Sequence, residues 1–174
     1  MKILVFGAHP DDVELSVGGI VARHGALGYQ VEICDLTAGE MGSNGTPALR
    51  LEEGARGAKI LGAAARHNLG LPDAFLQPDP AAIMKTAELI RVVRPDFVLA
   101  PWGQDRHPDH EAAGVIVTRA SHLAGLHKFP IPGERHRPRR LFYYFLGKIG
   151  EPSFLVNIDA YWDQKIAAIQ AHAS

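Results

Sequence analysis

Two short polar segments concentrate the side chains of this chain that could do chemistry. They are His9-Pro10-Asp11-Asp12 and His107-Pro108-Asp109-His110. A catalytic metal site uses about three protein ligands and keeps a position open for water. The imidazole and carboxylate groups of the two segments exceed that number, and they suit zinc or ferrous iron. The surplus groups could accept and donate protons during a hydrolysis. Spacing alone does not choose among them.

Each polar segment follows an apolar run that is typical of a buried β-strand. Lys2–Gly7 precedes the first segment and Phe97–Pro101 precedes the second. Along the whole chain such runs alternate with helical patterns, which predicts β-α-β units and a parallel sheet. Ligands of open α/β sheets bind at the carboxyl ends of the strands. We therefore expect a Rossmann-like three-layer α/β fold with a mostly parallel sheet, whose active site lies at those strand ends.

The remaining elements are predicted from the same patterns and from helix-end signals. Further strands are expected at residues 30–36, 67–71, 141–146 and 154–158, and a glycine-rich loop at residues 37–45. Thr46-Pro47 and Asp79-Pro80 each predict the start of a helix, because a capping side chain precedes a proline. Two other helices are expected at residues 16–27 and 111–123. A last helix is expected to follow Asp159 as its cap and to run to Ser174.

Composition is that of an ordinary soluble globular domain. The chain has 174 residues, of which 47% are hydrophobic and 21% charged, with a formal net charge of −1. This balance does not favour nucleic acid or an anionic membrane as a partner. Cys34 is the only cysteine and is expected to be a buried thiol. No apolar run approaches the roughly 20 residues of a membrane span, and no signal peptide is recognisable, so we expect a single domain at residues 1–174 in the cytoplasm.

The residues around both segments resemble a known enzyme family. Residues 8–14, followed by Gly18-Gly19, and residues 107–113 are similar to the two motifs of the PIG-L/LmbE-type zinc-dependent N-acetylglucosamine deacetylases. Gly45-Thr46-Pro47 with Arg50 and Glu53 resembles the branch that deacetylates N-acetylglucosaminyl-malate in bacillithiol biosynthesis. The resemblance covers nearly the whole chain in order. It implies zinc-dependent hydrolysis of the acetamide of an N-acetylglucosamine conjugate, which releases acetate and a free amine.

The resemblance also implies a role for each polar residue of the two segments. It makes zinc ligands of three residues, His9, Asp12 and His110. It makes Asp11 the general base, and it makes His107 the group that stabilises the oxyanion and protonates the amine. Asp109 would orient His107 as a neighbouring carboxylate. Arg50 and Glu14 would contact the substrate. The family further implies a homo-oligomer, and a C-terminal tail that continues beyond the last residue of this chain.

Three alternatives remain open from the sequence. Another N-acetyl sugar, such as diacetylchitobiose, could replace the malate conjugate as the substrate. Ferrous iron or another divalent metal could replace zinc. A Rossmann-type nucleotide-binding module is disfavoured, because Gly7-Ala8-His9-Pro10-Asp11 lacks the G-x-G-x-x-G pattern. The two acidic residues of the first segment would also repel a pyrophosphate.

Overall fold

A single parallel sheet forms the centre of the molecule. The computed structural model describes residues 1–174. The five strands are β1 (Lys2–Gly7), β2 (Gln30–Asp35), β3 (Ala65–Asn68), β4 (Phe97–Pro101) and β5 (Arg140–Tyr144). They lie in the order β3-β2-β1-β4-β5, and every neighbouring pair is parallel. The predicted Rossmann-like α/β fold is confirmed.

Helices cover both faces of the sheet. They are α1 (Asp12–Ala26), α2 (Pro47–Leu61), α3 (Pro80–Val93), α4 (Pro108–Leu123) and α5 (Trp162–Gln170), with a 3-10 turn at Asp159–Tyr161 before α5. Helices α3 and α4 pack together on one face, and α1 packs with α2 and α5 on the other. No helix combines the length and the apolar character that crossing a bilayer would require.

The core divides into two layers because successive side chains of a strand point to opposite faces. In β1, Leu4 and Phe6 pack with the layer that includes α3 and α4. Ile3 and Val5 pack with the layer that includes α1 and α2. Cys34 is fully buried, as expected. The central strand is therefore buried on both faces, which leaves its carboxyl end as the place where polar groups can meet.

Two of the predicted helix caps, at Thr46 and Asp79, are confirmed. Thr46 Oγ1 accepts a hydrogen bond from the Leu49 amide at 3.2 Å, and Asp79 Oδ1 accepts one from the Ala82 amide at 2.8 Å. Both helices begin with a proline. Gly62 ends α2 in the left-handed region at φ 72°, which glycine adopts without a steric cost.

Several element boundaries differ from the prediction. Strand β3 ends at Asn68 rather than continuing through residue 71. Helices α1 and α4 begin at Asp12 and Pro108, several residues earlier than expected, so both polar segments run into the first turns of helices. The last helix ends at Gln170, and Asp159 does not cap it. The Asp159 carboxylate accepts a hydrogen bond from Asn157 Nδ2 instead.

The predicted strand at residues 154–158 is wrong. This segment has no ladder partner in the sheet. It follows the outer side of α1 instead, where Arg23 donates to the Asn157 carbonyl and Ile158 lies against Gly19. Leu155 is 84% exposed. The apolar run of this segment is typical of a strand, but the segment lies along a helix and does not pair with the sheet.

Candidate active site

The two polar segments meet because their strands are neighbours. Strand β1 pairs directly with β4, with Ile3 opposite Phe97 and Val5 opposite Leu99. The first segment leaves β1 and enters α1, and the second enters α4. His107 caps α4, since its Nδ1 accepts the Asp109 amide at 3.2 Å. The shared site that the sequence predicted at the strand ends is therefore present.

Three buried groups from the two segments form a candidate metal site. The ligand atoms of His9, Asp12 and His110 all lie within 4.8 Å of one another. His110 Nε2 is 3.3 Å from Asp12 Oδ1, and His9 Nδ1 is 3.6 Å from Asp12 Oδ2. Asp12 is fixed in this position because its Oδ2 accepts the amides of Ala8 and His9 at 2.8 and 2.9 Å. The set of two imidazoles and one carboxylate matches the ligand chemistry of catalytic zinc.

A second group with similar spacing shares His9 with the first. His9, His107 and Asp109 also hold their ligand atoms within 4.8 Å. In this group, however, His107 is exposed, and Asp109 Oδ2 already accepts the Ala74 amide at 2.7 Å. The contacts of His9 favour the first group, because its Nδ1 faces Asp12 while its Nε2 faces other carboxylates. A ligand histidine commonly places its outer nitrogen against a carboxylate in this way.

Two carboxylates that the sequence did not reveal contact His9 and His110. Each lies next to the outer ring nitrogen of its histidine, the one that does not face Asp12. Asp73 Oδ1 lies 3.0 Å from His9 Nε2, and Asp105 Oδ1 lies 3.3 Å from His110 Nδ1. Asp105 precedes the second segment by two residues, so its nearness in sequence to His110 was an available signal. Asp73 lies in a loop after β3, and nothing in its local sequence points to the site.

The close approach of these groups shifts their protonation. Burial opposes the charged form of His9, but the hydrogen bond and charge of Asp12, with the charges of Asp73 and Asp109, raise its pKa to about 9. Burial would raise the pKa of Asp12, yet hydrogen bonds with His110 and His9 hold it well below its usual range. Burial lowers the pKa of His110, while Asp12 raises it overall. A bound cation would replace these protons, because histidine ligates metal in its neutral form.

Asp11 stands beside the metal site with an unusual backbone. Its φ is 154° and its ψ −24°, a conformation that residues with a side chain rarely adopt and that often marks a functional position. Its Oδ2 lies 3.4 Å from Arg50 Nη2, and Arg50 Nη1 donates to the Gly39 carbonyl at 2.8 Å. Burial and the charge of Asp12 raise the pKa of Asp11, against the opposing charges of Arg50 and His172. A raised pKa suits a carboxylate that must take up a proton.

His107 and Asp109 do not interact as expected. The structure shows no hydrogen bond between the Asp109 carboxylate and the His107 ring; that carboxylate accepts the Ala74 amide and lies 3.4 Å from His9 Nε2. The bond that orients His107 comes from the Asp109 backbone amide. Burial and the charges of His110 and His9 lower the pKa of His107.

Glu14 lies away from the other predicted site residues. It is fully buried in α1, where Arg66 donates to its carboxylate and His172 Nε2 is 3.5 Å away. Arg66 also donates to both oxygens of Asp35. This cluster of buried charges joins α1 to β2 and β3. The structure therefore gives Glu14 a role in packing and does not bring it to the cleft described next.

An open cleft of about 1110 Å³ lies above the metal site. Its floor includes His9, Asp11, Asp12, His107 and His110. Two wall segments border it: residues 39–42 of the glycine-rich loop contribute Met41 and Gly42, and residues 145–149 contribute Phe145, Leu146, Gly147 and Ile149. Arg50 and Arg106 also line it. The volume and the mixed apolar and charged lining suit a polar molecule of the size of a substituted sugar.

Comparison with known proteins assigns the chain and its fold to a family. Residues 4–121 match the family model described as "PIG-L: GlcNAc-PI de-N-acetylase". The chain belongs to the PIG-L family of deacetylases, which confirms the prediction of a metal-dependent enzyme that hydrolyses a linear amide. The "conserved protein TT1542" of Thermus thermophilus has the same fold, with a TM-score of 0.94 and 49% identity over 97% of this chain and 77% of that one.

Curated relatives differ in what they act on. A diacetylchitobiose deacetylase of Thermococcus kodakarensis is 33% identical over 99% of this chain and 69% of its own length. A probable N-acetyl-α-D-glucosaminyl L-malate deacetylase 2 of Bacillus anthracis is 30% identical over 99% and 80%. A 4-oxalmesaconate hydratase of Pseudomonas putida is also 30% identical, over 98% and 72%. Family membership therefore leaves the substrate to be decided by the cleft.

Proposed function

We propose that this protein uses zinc to remove the acetyl group from an N-acetylglucosamine conjugate, with N-acetylglucosaminyl-malate as the substrate. The observation that carries the proposal is the geometry of the cleft floor. His9, Asp12 and His110 could hold one divalent cation there, and Asp11 and His107 stand beside them without belonging to that ligand set. The named activities of the Thermococcus and Bacillus relatives support the same reaction class.

The residues of the cleft floor would have separate roles in amide hydrolysis. A divalent metal bound by His9, Asp12 and His110 would lower the pKa of a water molecule and polarise the acetamide carbonyl. Asp11 would accept the proton of the attacking water, which its raised pKa favours. Arg50 would hold Asp11 in the correct orientation through the contact at 3.4 Å.

His107 would stabilise the oxyanion that forms on the acetamide oxygen. Its Nδ1 accepts the Asp109 amide, so the proton of the neutral ring is carried by Nε2. That N–H can donate to the developing oxyanion. The neutral ring would keep this proton, and the departing amine would take up the proton that Asp11 accepted from the attacking water. Asp109 contributes its backbone amide to His107, while its carboxylate supports His9.

An unpaired arginine at the cleft favours an anionic conjugate over a neutral sugar. Arg50 is engaged with Asp11 and Gly39 and is only 13% exposed, so it can offer a substrate no more than part of its guanidinium. Arg106 lines the cleft, is exposed and takes part in no ion pair. A free guanidinium is suited to recognise a carboxylate such as those of malate. We assign the substrate contact to both arginines and leave Glu14 out, since it is buried.

A panel of substrates tests the proposal. The purified zinc-loaded protein would be incubated with N-acetylglucosaminyl-malate, diacetylchitobiose and N-acetylglucosamine, with detection of free amine and acetate. We expect the malate conjugate to give the highest kcat/KM. A higher value for diacetylchitobiose would retain the deacetylase and reject the malate substrate. Absence of amine from every substrate, with zinc bound, would reject both. A homo-oligomer and a cytoplasmic location remain predictions.

A further inference from the structure

Each histidine of the metal site, His9 and His110, contacts a different buried aspartate through the ring nitrogen that faces away from the proposed metal position. Neither aspartate belongs to the proposed ligand set. Asp105 Oδ1 contacts His110 Nδ1 at 3.3 Å, and Asp73 Oδ1 contacts His9 Nε2 at 3.0 Å. The side chains of Asp105 and Asp73 are only 3% and 7% exposed. Buried carboxylates are costly unless their oxygens are fully used, so the partners of the second oxygen of each aspartate are informative.

The second oxygen of each aspartate binds a wall of the cleft. Asp105 Oδ2 accepts the amides of Gly147 and Lys148 at 2.7 and 3.1 Å. Asp73 Oδ2 accepts the amide of Met41 at 2.8 Å. Gly147 belongs to the 145–149 wall segment, and Met41 belongs to the 39–42 wall segment. Each aspartate thus has one oxygen on a histidine of the metal site and the other on the backbone of a different wall.

The sequence of the 145–149 segment is adapted to this contact. A Cβ atom placed on Gly147 would lie 2.5 Å from Asp105 Oδ1 and 3.2 Å from its Cγ. Real Cβ atoms do not approach a carboxylate so closely, so any larger residue at position 147 would have to move either the wall or Asp105. Glycine is therefore required for the wall to reach the carboxylate, which argues that the contact is built into the segment.

We propose that Asp73 and Asp105 are positioning residues that couple metal binding to the order of the two wall segments. The inference rests on the proposed function to the extent that the site holds a divalent metal. A cation on a histidine makes its outer N–H a stronger donor, which tightens the bond to the aspartate. The fixed carboxylate then holds its wall amides more firmly. Because binding linkage is reciprocal, a substrate that orders a wall would also strengthen metal binding.

Hydrogen exchange in the presence and absence of zinc tests the coupling one wall at a time. In the wild-type protein, zinc should slow exchange in both the 39–42 and the 145–149 segments relative to protein stripped with EDTA. In Asp105→Asn, which lacks the second acceptor oxygen, zinc should protect only the 39–42 segment. In Asp73→Asn it should protect only the 145–149 segment. Each variant thus serves as the control for the other, and Asp163→Asn, on the exposed side of α5, should behave as the wild type.

Two further measurements separate positioning from a general loss of structure. Each Asn variant should weaken zinc binding by about 10–100-fold in a direct titration and should keep a cooperative thermal transition. Gly147→Ala should abolish the zinc-dependent protection of the 145–149 segment while leaving that of the 39–42 segment. The Gly147→Ala variant therefore tests the contact between Asp105 and the 145–149 segment even if Asp105→Asn does not fold.

The outcomes distinguish this proposal from the proposed function. Equal exchange of both segments with and without zinc, in a protein that binds zinc and releases acetate, would overturn the coupling and leave the deacetylase intact. Loss of protection in both segments in every variant would also overturn it, because the coupling would then not be specific to one wall. Segment-specific protection in a protein that deacetylates no substrate would support the coupling and reject the activity.

Discussion

Asp11→Asn should abolish most of the activity while leaving the metal site intact. The substitution removes the negative charge that accepts the proton but keeps the size of the side chain, so the backbone at φ 154° need not accommodate a new shape. Arg50 loses its charged partner at 3.4 Å but retains its bond to the Gly39 carbonyl. None of the three ligand atoms belongs to Asp11. The variant should therefore fold and bind zinc as the wild type does.

The expected loss of activity follows from the role of a general base. Removing such a group costs about 10²–10⁴-fold in rate, or about 3–5 kcal/mol in activation free energy. The assay is kcat/KM for amine release, measured beside the zinc content of the same sample. Asp12→Asn is the matched control, since it should lose zinc as well as activity. Near wild-type turnover by zinc-loaded Asp11→Asn would refute the assignment of Asp11 as the base.

Three other predictions follow from the site and the fold. His110→Ala should lose zinc, because one of three protein ligands is removed, and metal analysis of the purified variant checks this. Arg106→Gln should raise KM about tenfold for the malate conjugate and leave KM for diacetylchitobiose unchanged. Arg135→Gln, which changes an exposed residue outside the cleft, is its control. Equal effects of Arg106→Gln on both substrates would contradict the role of Arg106. Thr46→Ala should lower the free energy of unfolding by about 1 kcal/mol through loss of the cap on α2, measured by urea denaturation, whereas an unchanged midpoint would show that the cap contributes nothing.

The architecture was predictable because its signals are local and periodic. The buried run of β1 and the caps at Thr46 and Asp79 each follow from residues that are adjacent in the chain. The meeting of the two polar segments followed from their position after strands of one parallel sheet. The segment at residues 154–158 has an apolar run that is typical of a strand, but its partners are on α1, and only the tertiary structure reveals them.

The supporting residues of the site were less predictable. Glu14 follows Asp12 by two positions on α1, and residues two apart do not share a helix face; Glu14 consequently points to Arg66 while Asp12 faces the histidines. Asp73 lies in an irregular loop, where a single carboxylate carries no periodic signal. The contact between Asp73 and His9 depends on the path of the loop that follows β3. The spacing of residues in the sequence does not encode that path.

The position of the metal ion itself tests the ligand set His9, Asp12 and His110. Crystals grown with zinc and measured at the zinc absorption edge would locate the ion by anomalous scattering. We predict one strong peak about 2.0–2.2 Å from His9 Nδ1, an Asp12 oxygen and His110 Nε2. A peak bound instead by His9 Nε2, His107 and Asp109 would contradict this ligand set. The lack of any peak between the two polar segments would contradict the metal site as a whole.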